Sequence, residues 1–169
     1  NTEELNKMLN NFLSQRQPFA EVTEENASSS DDFLELAQSA SSKSAALKYA
    51  KKALELDPDN IDAAVMTADL TASSIEKLLE KYKKLIGKAE EKLEAEGYFE
   101  ENCVGEFWLI IETRPYMRLL YEYSDNLVTC GKMRLAAAEY EKMLRLCEGD
   151  NLGARYRLMH IYAFLEDEQ

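Results

Sequence analysis

His160 is the only imidazole in the chain, and Cys103, Cys130 and Cys147 are its only thiols. A nucleophilic triad, a two-histidine metal site or a histidine general base needs partners gathered around such a residue, and neither motif nor spacing supplies them. The cysteines are odd in number, widely separated and without a Cys-x-x-Cys pair, so neither a disulfide framework nor a zinc site is expected. They read as small apolar residues of a reducing compartment, which points to the cytoplasm. No phosphate-binding loop, dinucleotide fingerprint, metalloprotease helix or nucleophile elbow occurs in the sequence. The chain is therefore expected to be non-catalytic, with no cofactor and no metal. Asn26-Ala27-Ser28 matches a glycosylation acceptor, a short pattern that carries little without a secretory leader.

Recognition chemistry has better candidates. Arg114, Arg118, Tyr121 and Asp125 fall at i, i+4, i+7 and i+11, on one face of a helix and away from Met117, Leu120 and Leu127. The simplest reading is a surface helix in which Arg118 pairs with Glu122 and Tyr121 packs its ring edge. The functional reading is a binding stripe, in which case removing Arg118 and Tyr121 should weaken binding and spare stability. The formal charge of −12 argues against a nucleic-acid or anionic membrane partner. No window approaches the ~18 apolar residues a spanning helix needs.

The elements that carry these residues are all helical by their apolar spacing. Leu5, Met8, Leu9, Phe12 and Leu13 predict an opening helix from about Thr2 to Arg16, and the polar stretch to Ser30 predicts a linker. Residues 1–30 thus form an N-terminal helix and linker, and residues 31–169 the main domain. Within that domain helices are expected from about Asp31 to Ala40, Ser44 to Leu56, Ile61 to Thr71, and Ser74 to Glu96, the last with Leu78, Leu79, Tyr82, Leu85, Ile86, Ala89 and Leu93 on its apolar face. Phe107 to Ile111 reads as a buried helix turn, with Pro115 in the first turn of the next helix. Met117 to Thr129, Lys132 to Cys147 and Asn151 to Leu165 bring the expected count to eight or nine. The first residue, Asn1, and the acidic end, Glu166 to Gln169, give the look of a piece cut from a longer protein.

Lys52 to Asn60 and Lys142 to Asn151 repeat one pattern, with one extra residue in the second. On Leu120, Tyr123, Ser124, Leu127, Gly131, Ala136, Tyr140, Met143 and Gly149, with Ala46, Ala53 and Pro58 in an earlier pair, the sequence resembles the tetratricopeptide repeat family. Glu112 to Arg118 and Asp150 to Tyr156 also look like uncharacterised bacterial repeat proteins related to the suppressor of tumorigenicity 7 family. The first resemblance implies an all-α, tetratricopeptide-like stack of antiparallel helix pairs, here with an inserted long helix.

In that family the first helix of each pair lines a concave groove. Carried over residue by residue, this nominates Asp62, Val65 and Asp69, then Arg118, Tyr121 and Asp125, then Tyr156 and His160. Some members clamp a peptide carboxylate with Lys and Asn, whereas Asp69 and Asp125 stand at the neutral positions here, so a basic or polar segment is the better ligand. The expected function is an interaction scaffold holding a protein or peptide segment in a helical groove. The alternative is a structural module that packs within a larger chain or self-associates as a homo-oligomer. An open Arg118, Tyr121 and Tyr156 groove favours the first; a filled groove beside exposed apolar end helices favours the second.

Overall fold

A computed structural model describes residues 21–167. The helix expected over Thr2 to Arg16 lies outside them. Seven helices follow: α1 (Ser30–Ser39), α2 (Lys43–Leu56), α3 (Ile61–Thr71), α4 (Ile75–Ala95), α5 (Arg114–Thr129), α6 (Met133–Leu146) and α7 (Ala154–Asp167). Among the described residues the only strand-like pairing is a pair of isolated bridges from Gly105 and Glu106 to Cys147. The chain is all-α.

Four of the starts are set by side-chain caps. Ser29, Ser42, Asn60 and Ser74 each accept the backbone N–H three residues on, which satisfies a donor the helix itself cannot. At Ser29 the Asp32 carboxylate returns the favour to the cap backbone, closing a capping box. Asp150, at φ 48, holds the start of α7 by accepting from Ala154 N at 2.6 Å and Arg155 N at 3.1 Å. Because Asn151 to Gly153 is thereby spent on a turn, α7 begins at Ala154 rather than at the expected Asn151. Gly131, at φ 69, makes the reversal between α5 and α6 in a conformation that few other residues adopt without strain.

Each helix packs on the next in sequence, and α3 also packs on α5. The larger core lies among α4, α5, α6 and α7, where Tyr82, Phe107, Tyr116, Leu119, Leu120, Leu127, Tyr140 and Met143 are buried. Truncating one such Leu to Ala removes about 2–5 kcal/mol. A smaller core of Leu34, Ala53 and Ala63 joins α1, α2 and α3, and its alanines let those backbones approach closely. Glu90 of α4 ties three helices together: it accepts the Tyr116 hydroxyl of α5 at 2.7 Å and the Lys142 ammonium of α6.

The segment from Phe107 to Ile111 corrects the expectation of a buried helix turn. It is irregular, a chain of turns leading to Thr113. Gly105 N and Phe107 N donate to Leu146 O at 3.1 and 3.0 Å, so its backbone is satisfied by the end of α6 rather than by a helix of its own. Thr113 donates its hydroxyl to Phe107 O and lies at 3.0 Å from Ile110 O, pinning the segment. Phe107 is buried in the core and Trp108 packs half-buried against it, whereas Leu109 and Ile111 are 68% and 70% exposed. Five residues are too few to form a stable helix by themselves. With that segment irregular, the helix count among the described residues is seven, and α5 starts at Arg114, with Pro115 in its first turn.

Candidate functional site

The stripe expected on α5 exists, but its members are already engaged inside the molecule. Arg118 meets Asp62 of α3, with Nε 3.0 Å from Oδ1 and Nη2 2.5 Å from Oδ2. Its ion-pair partner is therefore Asp62 and not Glu122, as the helix spacing alone predicts. Tyr121 packs edge-on against the buried ring of Tyr140, centroids 5.9 Å apart, and its hydroxyl accepts from Arg157 Nε at 3.1 Å. Asp125 lies 3.2 Å from Arg157 Nη2. Arg114 donates to Trp108 O at 2.8 Å and sits over that indole ring. Asp69 accepts the hydroxyl of buried Tyr82, and partial burial raises its pKa against the lowering effect of that hydrogen bond. Val65 packs against the core.

Tyr156 and His160 are not brought to this cluster. Both are exposed, and α7 reaches α5 through Arg157 instead. Arg157 is a residue the sequence pattern passed over: it stands one position after the nominated Tyr156, and one residue turns a helical side chain by about 100°. The polar rungs from Asp62 to Arg118, and from Tyr121 and Asp125 to Arg157, thus occupy the face where an open groove was expected.

Open space lies next to those rungs. A cavity of about 340 Å³ is bounded by the turn between α2 and α3, the first turn of α3, the second half of α4, and Glu112 with Pro115. Its floor is apolar, built from Ile61, Ala64, Leu85, Ala89, Leu93 and Pro115. The rim carries the carboxylates of Asp31, Asp57, Asp59, Asp62, Glu96 and Glu112 against the ammonium groups of Lys88 and Lys92. Both lysines close on one acid: Lys88 Nζ is 2.7 Å and Lys92 Nζ 3.3 Å from Asp59, which holds that carboxyl below its ordinary pKa. Lys88 also donates to Pro58 O at 3.2 Å. Asp62 is matched by Arg118, whereas Asp57, Glu96 and Glu112 form no ion pair among the described residues. The rim is therefore acidic around an apolar floor, six carboxylates against two ammonium groups.

None of Lys88, Lys92, Asp59 and Glu112 was legible as a site residue, because the charges of α4 alternate in sign like those of any solvated helix. Cys103 and Cys130 are half-buried, Cys147 is buried, and all three are free thiols. Among the described residues no three His, Cys, Asp or Glu side chains form a metal-binding group, and no helix is long and apolar enough to cross a membrane. No protein-family model matches the chain, and neither a curated protein nor a solved structure matches it.

Proposed function

We propose that the chain is a non-catalytic, tetratricopeptide-like interaction module that holds a basic peptide segment, anchored by an apolar side chain, in the cavity at the start of α3. The observation that carries this reading is the cavity itself. Its volume lies within the usual ~300–1,000 Å³ of ligand pockets, its floor is apolar, and unpaired carboxylates stand on its rim. An aliphatic side chain in the floor would bury apolar surface, and a neighbouring Lys or Arg would meet Asp57, Glu96 or Glu112.

The tetratricopeptide-like arrangement is supported by the sequential packing of the helices, by the α3 to α5 contact that skips α4, and by the buried alanines Ala50, Ala53, Ala63 and Ala136. The free thiols support a reducing, cytoplasmic setting.

A randomised peptide library panned against the full chain tests the proposal. Selected peptides should share an aliphatic or aromatic residue flanked by Lys or Arg, and their binding should weaken with salt. Ala64→Phe, which fills the floor, and Glu112→Lys, which reverses the rim, should each weaken binding about tenfold or more. A selection without basic residues, or peptides that bind both variants as tightly as the parent, would overturn it.

A further inference from the structure

We infer that the outer face of α7 is a docking surface for a second copy of this chain, the two α7 helices packing antiparallel about a twofold axis. The inner side of α7 is settled by Ala154, Leu158 and Ile161, which are buried in the core. On the opposite side Tyr156, Met159, His160 and Ala163 recur at helical spacing and are all exposed, Tyr156 at 71% and Met159 at 61%. Tyr162 and Phe164 flank them, 42% and 47% exposed. A solvated helix carries charge on its outer side, as α4 does with Glu80, Lys84, Lys88 and Glu91. The outer side of α7 instead carries aromatic and thioether groups, the side chains enriched at protein interfaces.

The pattern along α7 favours a second copy as the occupant. At −12 the chain repels itself in general, yet no acidic residue occurs from Asn151 to Leu165. Of the two arginines in its first turn, Arg157 is used on Asp125 and Tyr121, while Arg155 has no ion pair among the described residues. Glu166, at the other end, is exposed and also without one. Antiparallel pairing sets Arg155 of each copy near Glu166 of the other, a contact made twice by symmetry. It also sets the large Tyr156 of one helix beside the small Ala163 of the other, and opposes the two helix dipoles. Parallel pairing would stack Arg155 on Arg155. Read backwards, the helix is thus complementary to itself in both charge and size. This surface is separate from the cavity at α3, and the inference stands or falls without the peptide-binding reading.

Sedimentation equilibrium of the full chain over a range of concentrations is the test. The parent should show a monomer to dimer equilibrium, and Met159→Glu should shift it to monomer while leaving the far-UV circular dichroism and melting temperature in place. Arg155→Glu and Glu166→Arg should each weaken the dimer about tenfold or more, and the two together should restore it, because the swap regenerates the same pair with signs exchanged. The swapped chain has the parent's net charge, which separates this pairing from general repulsion. A parent that stays monomeric to roughly millimolar concentration, a dimer indifferent to Met159→Glu, or a double reversal as weak as the single changes would each overturn the inference.

Discussion

Arg118 of α5 and Asp62 of α3 are joined by two near-parallel hydrogen bonds, Nε to Oδ1 at 3.0 Å and Nη2 to Oδ2 at 2.5 Å, between residues 56 apart in sequence. Planar two-point contacts of this kind are the stronger class of ion pair, although Arg118 keeps 43% of its side-chain surface exposed and solvent weakens the attraction. Arg118→Ala is therefore expected to lower stability by about 1 kcal/mol. Tyr121→Ala strips an edge-on ring from Tyr140 and should remove about 2 kcal/mol more. At roughly 2–4 °C per kcal/mol for a chain of this size, the double variant should melt well below the parent in calorimetry. An unchanged melting temperature would mean that both side chains are free for a partner, as the binding-stripe reading had it.

Tyr140 gives a prediction of opposite sign. Its ring is buried, yet its hydroxyl, with the Asp125 carboxylate near it, makes no hydrogen bond of good geometry. A buried polar atom without a partner is a net loss to the folded state, so removing the oxygen and keeping the ring should be neutral or stabilising. Tyr140→Phe should accordingly melt at or above the parent temperature. A drop of several degrees would show that the hydroxyl is bonded in solution.

Acid should loosen two particular places. The backbone N–H groups of Ser28 and Ser29 hold the Asp32 carboxyl below its ordinary pKa, and Lys88 and Lys92 do the same for Asp59. A carboxyl lowered on folding contributes stability that is fully present above its unfolded value, about 4, and is lost as pH falls through that value toward the folded one. Asp69, raised by burial, acts in the other direction and offsets part of the loss. The melting temperature should therefore fall between roughly pH 5 and 3. Asp32→Asn should flatten that fall while lowering stability at neutral pH. A variant whose acid profile runs parallel to the parent's would remove the capping box from the explanation.

Much of the fold is legible in local chemistry. The apolar stripe of α4 faces inward, with Leu79, Tyr82, Ile86, Ala89 and Leu93 buried and Leu78 and Leu85 half-buried against the core, and Gly97 and Gly131 sit at positive φ where helices end. The failures share a cause. Phe107 to Ile111 owes its shape to hydrogen bonds from the end of α6, and Arg118 owes its partner to α3, neither of which helical periodicity can report. The cavity was illegible because helix ends and turns form it together, so no single face shows it. Tyr156 and His160 were read as groove residues but lie on the outer side of α7, because which side of a helix stays free is set by the neighbouring helices and not by its own period.

The lengths of α3 and α4 carry one more implication. With 11 residues beside 21, α4 runs past the start of α3 by about 15 Å, and the cavity occupies that step. A recess made by unequal neighbours shares its floor with the interior through Ala89 and Leu93 but keeps its charged rim outside it. Its shape is set by where Asn60 starts one helix and Gly97 stops the other, so its chemistry can drift by substitution while its depth stays fixed. Related chains that differ at Ala64, Lys88, Lys92 or Glu112 but keep the same two helix lengths would then keep the same notch and change what it accepts, a division of labour that lets recognition evolve without renegotiating the fold.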